Sequence, residues 1–226
     1  MKREEFEKKF WVEGLTVDIV IFTVHNGELK LLLIKRNNEP FRGDWTLPGG
    51  FLQKNEGLKE AALRVLKDKA GIGGVYLEQL YTFDTKGRDP RGEVITIGYF
   101  ALVPPEDLDL SSNKLDTVEL FSLNNLPKLG FDHAEIIEYA KTRLQFKLEY
   151  TNVAFSLLPK LFTLSQLQGT YEAIIGKGLD KRNFLKKYLS LGFVKPTTKV
   201  FVGGRQRPAR LYQFASRKPV NLKKFF

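Results

Sequence analysis

Apolar and polar residues alternate along the first part of the chain in the pattern expected for strands packed in a sheet. Residues 15–24 and 28–36 form two such runs, and Asn26 and Gly27 between them have the composition of a tight hairpin turn. Further runs predict strands over residues 75–83, 93–103 and 119–123. The first part of the chain is therefore predicted to contain a β-hairpin within a larger sheet.

Apolar residues at helical spacing separate some of these strands. From about Gly57 to Ala70, leucines and alanines recur every three or four residues, and Gly71 is suited to end a helix. A second helix is predicted from about His133 to Phe146. Because strands are mixed with helices that each have one apolar face, we predict an α/β fold arranged as an α/β/α sandwich.

The last part of the chain predicts two helices followed by two strands. Thr163 and Gln166 have the spacing of a capping box, which predicts a helix start, and Asp180 is suited to begin a second helix that ends at Gly192. The second helix carries an apolar set expected to pack inward: Phe184, Leu185, Tyr188 and Leu189. The two strands are expected over residues 193–204 and 207–216. This order predicts a small α+β winged helix-turn-helix domain.

The charge is distributed unevenly between these two parts. Residues 1–150 hold 21 Lys and Arg against 24 Asp and Glu, whereas residues 151–226 hold 15 against 2. We therefore predict two domains with these bounds, the second of which binds a polyanion, nucleic acid before membrane. A basic solvated face without a partner is the alternative.

The composition excludes several classes of site. The chain has no cysteine, which excludes disulfides, and its two histidines are too few for a histidine-built zinc site. No cofactor or metal is expected. The chain has neither an apolar run of about 18 residues nor a signal peptide at its start, so we expect a cytoplasmic protein without a membrane partner.

Candidate chemistry lies in residues 50–72, which read GFLQKNEGLKEAALRVLKDKAGI. This segment resembles the Nudix box, and it matches the frame of that box at Gly50, Glu56, Arg64, Leu66, Gly71 and Ile72. In Nudix hydrolases the glutamates that follow the arginine bind a divalent metal. Val65, Asp68 and Lys69 stand in those positions here. A valine cannot bind Mg²⁺ and a lysine repels it, so we expect no hydrolysis.

Other segments extend this resemblance over nearly the whole chain. They are RNNEPFRGDW at residues 36–45, GRDPRG at 87–92, FTLSQLQGTYEAI at 162–174 and DKRNF at 180–184. Together with the box they resemble Nudix-related transcriptional regulators, which include repressors of NAD metabolism and of arabinose utilisation. The resemblance implies a homodimer that binds a palindromic double-stranded DNA operator. It also implies a small effector, a sugar such as arabinose or else ADP-ribose.

The candidate ligand-binding residues combine charged donors with an aromatic ring, which suits either a sugar or a diphosphate. They are Arg36, Trp45, Glu56, Arg64, Asp84, Lys86, Arg88 and Arg91. Two interpretations stay open for Glu56 and Arg64. They either form an ion pair that fixes the loop over the helix, or bind a sugar or phosphate group.

The candidate DNA-binding residues lie at helix starts and around the tip of the wing. Arg182 and Asn183 are the expected base-reading residues, because Arg pairs well with guanine and Asn with adenine. The expected phosphate-binding residues are Thr163, Ser165, Lys181, Lys186 and Lys187. The wing that carries Arg205, Arg207 and Arg210 is expected to follow the phosphate backbone or to enter the minor groove.

Two other functions remain possible from the sequence. One is a Nudix hydrolase of ADP-ribose or a related nucleoside diphosphate derivative, with a nonstandard metal site and a basic tail that binds nucleic acid loosely. The other is a non-enzymatic RNA-binding protein, which would prefer RNA to duplex DNA.

Overall fold

Strand β1 (Gly14–His25) is the centre of a mixed sheet in the computed structural model, which describes residues 14–108, 117–202 and 208–221. The other strands of this sheet are β2 (Glu28–Lys35), β3 (Trp45–Thr46), β4 (Gly49–Phe51), β5 (Tyr76–Phe83), β6 (Val94–Leu102) and β7 (Val118–Ser122). The order is β3-β2-β1-β6-β5, with β4 paired to β1 and β7 to β2. β1 and β6 are parallel, and the other pairs are antiparallel.

The predicted hairpin between β1 and β2 is confirmed. Asn26 and Gly27 both have positive φ angles, 53° and 78°, as a two-residue turn of the type that matches strand twist requires. Asparagine and glycine tolerate this backbone region better than other residues, which explains why the sequence signal was reliable.

Helices α1 (Leu58–Ala70) and α2 (His133–Tyr150) cover opposite faces of the sheet. Neighbouring residues of β1 point to opposite faces, so that Ile19 packs in the cluster under α1 and Val20 in the cluster under α2. The predicted α/β/α sandwich is confirmed. α2 extends four residues beyond the predicted end, because buried Leu148 continues its apolar stripe.

The predicted winged helix follows. Its elements are a 3-10 turn (Val153–Leu157), α3 (Leu164–Ile175), α4 (Lys181–Ser190), β8 (Val194–Phe201) and β9 (Ala209–Phe214), and the two strands pair antiparallel. The capping box is present, with Thr163 Oγ1 accepting from the Gln166 amide at 3.1 Å and Gln166 Oε1 accepting from the Thr163 amide at 2.7 Å. Asp180 caps α4 by accepting from the Asn183 amide at 2.8 Å.

One residue of α4 differs from its predicted position. Leu189 was expected to pack inward with Tyr188, but it is 41% exposed, whereas Tyr188 is 1% exposed. Consecutive helical residues point about 100° apart, and in α4 only Tyr188 of this pair is turned into the core.

The hydrophobic core under α2 continues into the winged helix. A single cluster of buried residues includes Phe22 of β1, Leu144 of α2, Tyr171 of α3, Tyr188 of α4 and Phe214 of β9. The predicted domain boundary at residue 150 is not tested by this packing and stays a prediction. Within the described ranges, no helix is both long and apolar enough to cross a membrane.

Candidate ligand-binding cavity and nucleic-acid interface

A cavity of about 410 Å³ opens beside the carboxyl end of β2, between β1, β4, α1 and the start of α2. This volume falls within the usual range for small-molecule sites. Its lining residues are Thr16, Asp18, Ile34, Lys35, Arg36, Asn37, Asn38, Thr46, Leu47, Gly49, Gly50, Phe51, Lys69, Arg88, Asp89, Arg91, Phe131 and His133.

Three of the eight predicted ligand-binding residues line this cavity: Arg36, Arg88 and Arg91. The other five stand outside its lining, and any part they take in ligand binding stays a prediction. Trp45 packs edge-on against Phe121 with 4.7 Å between ring centroids, and Asp84 and Lys86 are exposed in the loop after β5.

Glu56 and Arg64, also outside the lining, form an ion pair between the loop and α1. Arg64 Nε and Nη2 donate to the two carboxylate oxygens of Glu56 at 2.6 and 2.8 Å, and Nη2 also donates to the Phe51 carbonyl at 3.0 Å. The Arg64 hydrogen bonds, supported by the Gln53 amide, lower the pKa of Glu56 to about 2. Of the two interpretations, this geometry supports the structural one.

Arg88 is the centre of a buried charge cluster in the cavity. Its side chain is 3% exposed, and its Nε and Nη2 donate to the two oxygens of Asp132 at 2.8 and 2.7 Å, while Asp18 lies 3.5 Å away. Burial alone would lower the pKa of Arg88, but these carboxylates outweigh it and raise the pKa. A fully charged guanidinium therefore remains in the lining of the cavity.

His133 links α2 to the strand side of the same cluster. Its Nδ1 accepts the Leu47 amide proton at 2.9 Å, so the ring proton of the neutral form lies on Nε2, which faces Asp18 at 3.7 Å. Burial lowers the pKa of His133, and the ring is therefore uncharged at neutral pH.

Gly49 makes room for Asp18 in this cluster. A Cβ at Gly49 would lie 2.0 Å from Asp18 Oδ1, and this distance excludes any larger residue while the carboxylate keeps its place. Gly49 thus has a local steric reason, whereas Gly50 after it is the first residue of the box frame.

The mouth of the cavity combines arginines with aromatic rings. Arg91 forms a two-point ion pair with Asp89, at 2.9 and 2.6 Å, and lies 5.1 Å from the ring centre of Phe51. Arg36 lies 5.0 Å from the ring of Phe131 and donates to the Pro40 carbonyl at 2.7 Å. Such surfaces suit a ligand that has both a flat ring and anionic groups.

The Nudix metal site does not fit the residues present. Val65 is 1% exposed and packs in the core under α1, Asp68 is exposed and outside the cavity lining, and Lys69 lines the cavity. Among residues 14–108, 117–202 and 208–221, no group of three or more His, Cys, Asp or Glu is placed to hold a metal ion.

Sequence reasoning missed several residues of the cavity and of the Arg88 charge cluster that lie far apart in the chain. Asp18 carried a signal, because it is the charged residue inside the otherwise apolar run LTVDIVIF. Asp132, Phe131 and His133 lie just before or at the start of α2 and gave no comparable signal. Their place depends on how α2 packs against the sheet.

The candidate nucleic-acid interface contains the solvent side of α4. Lys181, Arg182 and Asn183 are exposed on its first turn, and Lys186 and Lys187 are exposed on the next. The structure thus brings these five predicted residues to the surface of one helix.

The remaining predicted DNA-binding residues are distributed over α3 and the wing. Thr163 is half-buried at the start of α3, and Ser165 beside it is exposed. Arg210 is exposed on β9, opposite Val200 of β8. Arg205 and Arg207 lie outside the described residues.

Two family models match the chain. Residues 14–140 match the NUDIX domain, and residues 154–214 match the NrtR DNA-binding winged helix domain. The chain is 40% identical over 205 residues to the ADPR responsive transcriptional repressor NtrR of Acinetobacter baylyi, covering 89% of this chain and 82% of that protein. It is 42% identical over 109 residues to the ADP-ribose pyrophosphatase of Methanocaldococcus jannaschii, covering 48% and 64%.

Solved structures extend the similarity to both parts of the chain. NrtR of Shewanella oneidensis complexed with a 27mer DNA is 36% identical, with a TM-score of 0.80, covering 88% of this chain and 93% of that one. The NUDIX domain of the same protein complexed with ADP ribose is 37% identical, with a TM-score of 0.55, covering 64% and 99%. These relatives do not support the predicted sugar ligand. The chain belongs to the family of Nudix-related transcriptional regulators that combine a Nudix domain with an NrtR winged helix domain.

Proposed function

We propose that this protein is a DNA-binding repressor whose Nudix domain binds ADP-ribose in the cavity and thereby changes its affinity for DNA. The observation that carries this proposal is the cationic cavity at the start of α2, a helix that packs at its other end against the winged helix. We also propose that residues 1–150 and 151–226 are the two domains. The separate matches to residues 14–140 and 154–214 support that boundary.

The cavity chemistry favours a nucleoside diphosphate derivative over a simple sugar. Five cationic side chains and two carboxylates belong to its lining, so the excess of charge is positive and favours a diphosphate. The ring of Phe131 beside Arg36 suits a base, and carboxylates such as Asp89 suit ribose hydroxyls. Arg36, Arg88 and Arg91 are therefore the predicted residues that we retain as ligand contacts.

Ligand binding is tested by isothermal titration calorimetry with the full chain, using ADP-ribose and arabinose in parallel. We expect saturable binding of ADP-ribose and none of arabinose at millimolar concentration. Arabinose binding without ADP-ribose binding would restore the sugar effector and refute this part of the proposal.

The DNA part of the proposal rests on the exposed cations of α4 and the net charge of residues 151–226. Base reading by the first turn of α4 requires Arg182 and Asn183, while Lys181, Lys186 and Lys187 neutralise phosphates. Thr163, Ser165 and Arg210 add phosphate contacts, and we retain Arg205 and Arg207, which lie outside the described residues, as predicted DNA contacts. A two-fold homodimer would present two such helices to a palindrome.

DNA binding is tested by fluorescence anisotropy with an operator fragment selected from genomic DNA. Lys181→Ala/Arg182→Ala/Asn183→Ala is expected to weaken operator binding by about 100-fold, because base and phosphate contacts are lost together. Lys59→Ala/Lys67→Ala, which removes two exposed cations from α1, is the control and should stay within about threefold. Unchanged affinity of the triple variant would refute the assignment of α4 as the recognition helix.

Sedimentation velocity of the free protein and of the operator complex tests the dimer. We expect two chains per operator, and one chain per palindrome would contradict the two-fold arrangement.

A hydrolase is the alternative, and the identity with an ADP-ribose pyrophosphatase over 48% of the chain favours it. The test is incubation of micromolar protein with ADP-ribose and Mg²⁺ or Mn²⁺, followed by chromatography for AMP. We expect no turnover, because Val65 and Lys69 occupy metal-binding positions of the box. Metal-dependent release of AMP would establish the alternative.

A further inference from the structure

We propose that Lys69 takes the place of the divalent cation, so that its ammonium binds the ligand diphosphate and ligand binding needs no metal. This inference rests on the proposed function, in that it takes ADP-ribose as the ligand of the cavity.

The geometry of α1 selects Lys69 from the three altered positions of the box. Val65 and Lys69 are one turn apart and share a face of the helix. Val65 packs close to Gly50, where a Cβ would lie 3.2 Å from its Cγ2, and Lys69 lines the cavity beside the same glycine. Asp68 is exposed and lies outside the cavity lining, and its negative charge helps to raise the pKa of Arg64. The face that would carry metal ligands therefore carries a methyl group and an ammonium.

The charges around the cavity indicate why the Lys69 ammonium would matter for a diphosphate ligand. The guanidinium of Arg88 is matched by Asp132 and Asp18, and that of Arg91 by Asp89. These pairs keep the two arginines in position and offset much of the charge of these two guanidinium groups. Lys69 lines the cavity from α1 and adds its positive charge to the lining.

A lysine and a metal ion differ in what they supply to a bound diphosphate. The ammonium offers one positive charge and three hydrogen-bond donors, which suffice to hold phosphate oxygens. It does not generate a hydroxide nucleophile as a bound metal does. The substitution therefore keeps affinity for the ligand while removing the means of hydrolysing it, which is what a sensor requires.

The test is calorimetry of ADP-ribose with the full-length protein, once in EDTA and once in excess MgCl₂. We expect the two dissociation constants to agree within about twofold. In EDTA, Lys69→Met is expected to weaken binding by about tenfold or more, since a hydrogen bond to a charged group is lost while the apolar stem remains.

Two further variants separate this role from general effects. Lys67→Met removes an exposed lysine from the same helix and should change the affinity for ADP-ribose by less than about twofold. Lys69→Arg keeps the positive charge and should retain most of the affinity that Lys69→Met loses. Circular dichroism checks that each variant is folded. If Lys69→Met is unfolded, the affinity of Lys69→Arg for ADP-ribose is the deciding measurement.

Wild-type binding that is lost in EDTA, or Lys69→Met binding equal to wild type, would overturn the inference and leave ADP-ribose as the ligand. If Lys69→Met is unfolded, a more than tenfold loss in Lys69→Arg would also overturn it. Absence of ADP-ribose binding by the wild type in both buffers would instead refute the proposed function itself.

Discussion

Arg64 and Arg88 are the same residue type in two environments. Arg64 pairs with Glu56 in a site where its side chain is 26% exposed, and this pair fixes the loop before α1. Arg88 pairs with Asp132 at 3% exposure, and this pair fixes the loop after β5 to the start of α2. Removing one partner is expected to cost more stability in the Arg88–Asp132 pair than in the Arg64–Glu56 pair, because the remaining buried charge would have no water around it.

The ion pair of Glu56 predicts a pH dependence of stability. The pKa of Glu56 falls from its ordinary 4.5 to about 2 because of Arg64, so the folded protein binds this proton more weakly than the unfolded chain. The pair then contributes stability that is fully present above about pH 4.5 and is lost as the pH falls towards 2. We expect Glu56→Gln to be less stable than wild type at pH 7, by a margin that narrows below pH 4.5.

Urea denaturation of both proteins between pH 7 and pH 2.5 measures this margin. Glu28→Gln is the control, because Glu28 is exposed and 3.9 Å from Lys30, a distance at which little stability is expected. A margin that stays constant over the whole range would show that Glu56 contributes by packing and not by charge.

At the scale of elements, α3 and α4 begin where local sequence directs them. The start of α3 is defined by reciprocal hydrogen bonds between Thr163 and Gln166, and that of α4 by Asp180. Each of these bonds satisfies an amide that has no partner within the helix. Because α3 supports α4, its cap also stabilises the candidate DNA-binding surface.

Removal of the α3 cap is expected to lower stability. Thr163→Ala eliminates the side-chain acceptor for the Gln166 amide, and caps of this kind contribute about 1 kcal/mol. Chemical denaturation measures the change in the free energy of unfolding. The control is Ser165→Ala, at an exposed position two residues after Thr163, which should change stability by less than about 0.5 kcal/mol. Equal effects of the two substitutions would contradict the importance of the cap.

At the scale of the whole molecule, α2 connects the cavity to the winged helix. It begins with Asp132 and His133 at the buried charge cluster, and about 18 Å further along its axis Gln145 Nε2 donates to the Ile174 carbonyl of α3 at 2.9 Å. A ligand that competes with Asp132 for Arg88 would change the position of α2, and this contact would transmit the change to α3.

Gln145→Ala is therefore expected to weaken communication between the two sites without weakening either one. The measured quantity is the ratio of operator affinities with and without saturating ADP-ribose, and we expect it to move towards one by about threefold. Thr142→Ala, exposed on the same helix, should leave the ratio unchanged. An unaltered ratio in Gln145→Ala would exclude this contact as a route of coupling.

By itself, the sequence determined the features that depend on residues a few positions apart: the Asn26-Gly27 turn, the capping box of α3, the Asp180 cap of α4 and the apolar stripe of α1. It also determined the charge contrast between the two parts of the chain. The tertiary structure decided which charged residues meet. Asp18, Lys69, Arg88 and Asp132 come from four elements or loops. Trp45 lies outside the cavity lining although its neighbour Thr46 belongs to it, and Asp84 lies outside the lining as well. Spacing predicts the direction of a side chain within its own helix or strand, but a cavity is assembled where elements pack, and that packing is set by the sum of many distant contacts.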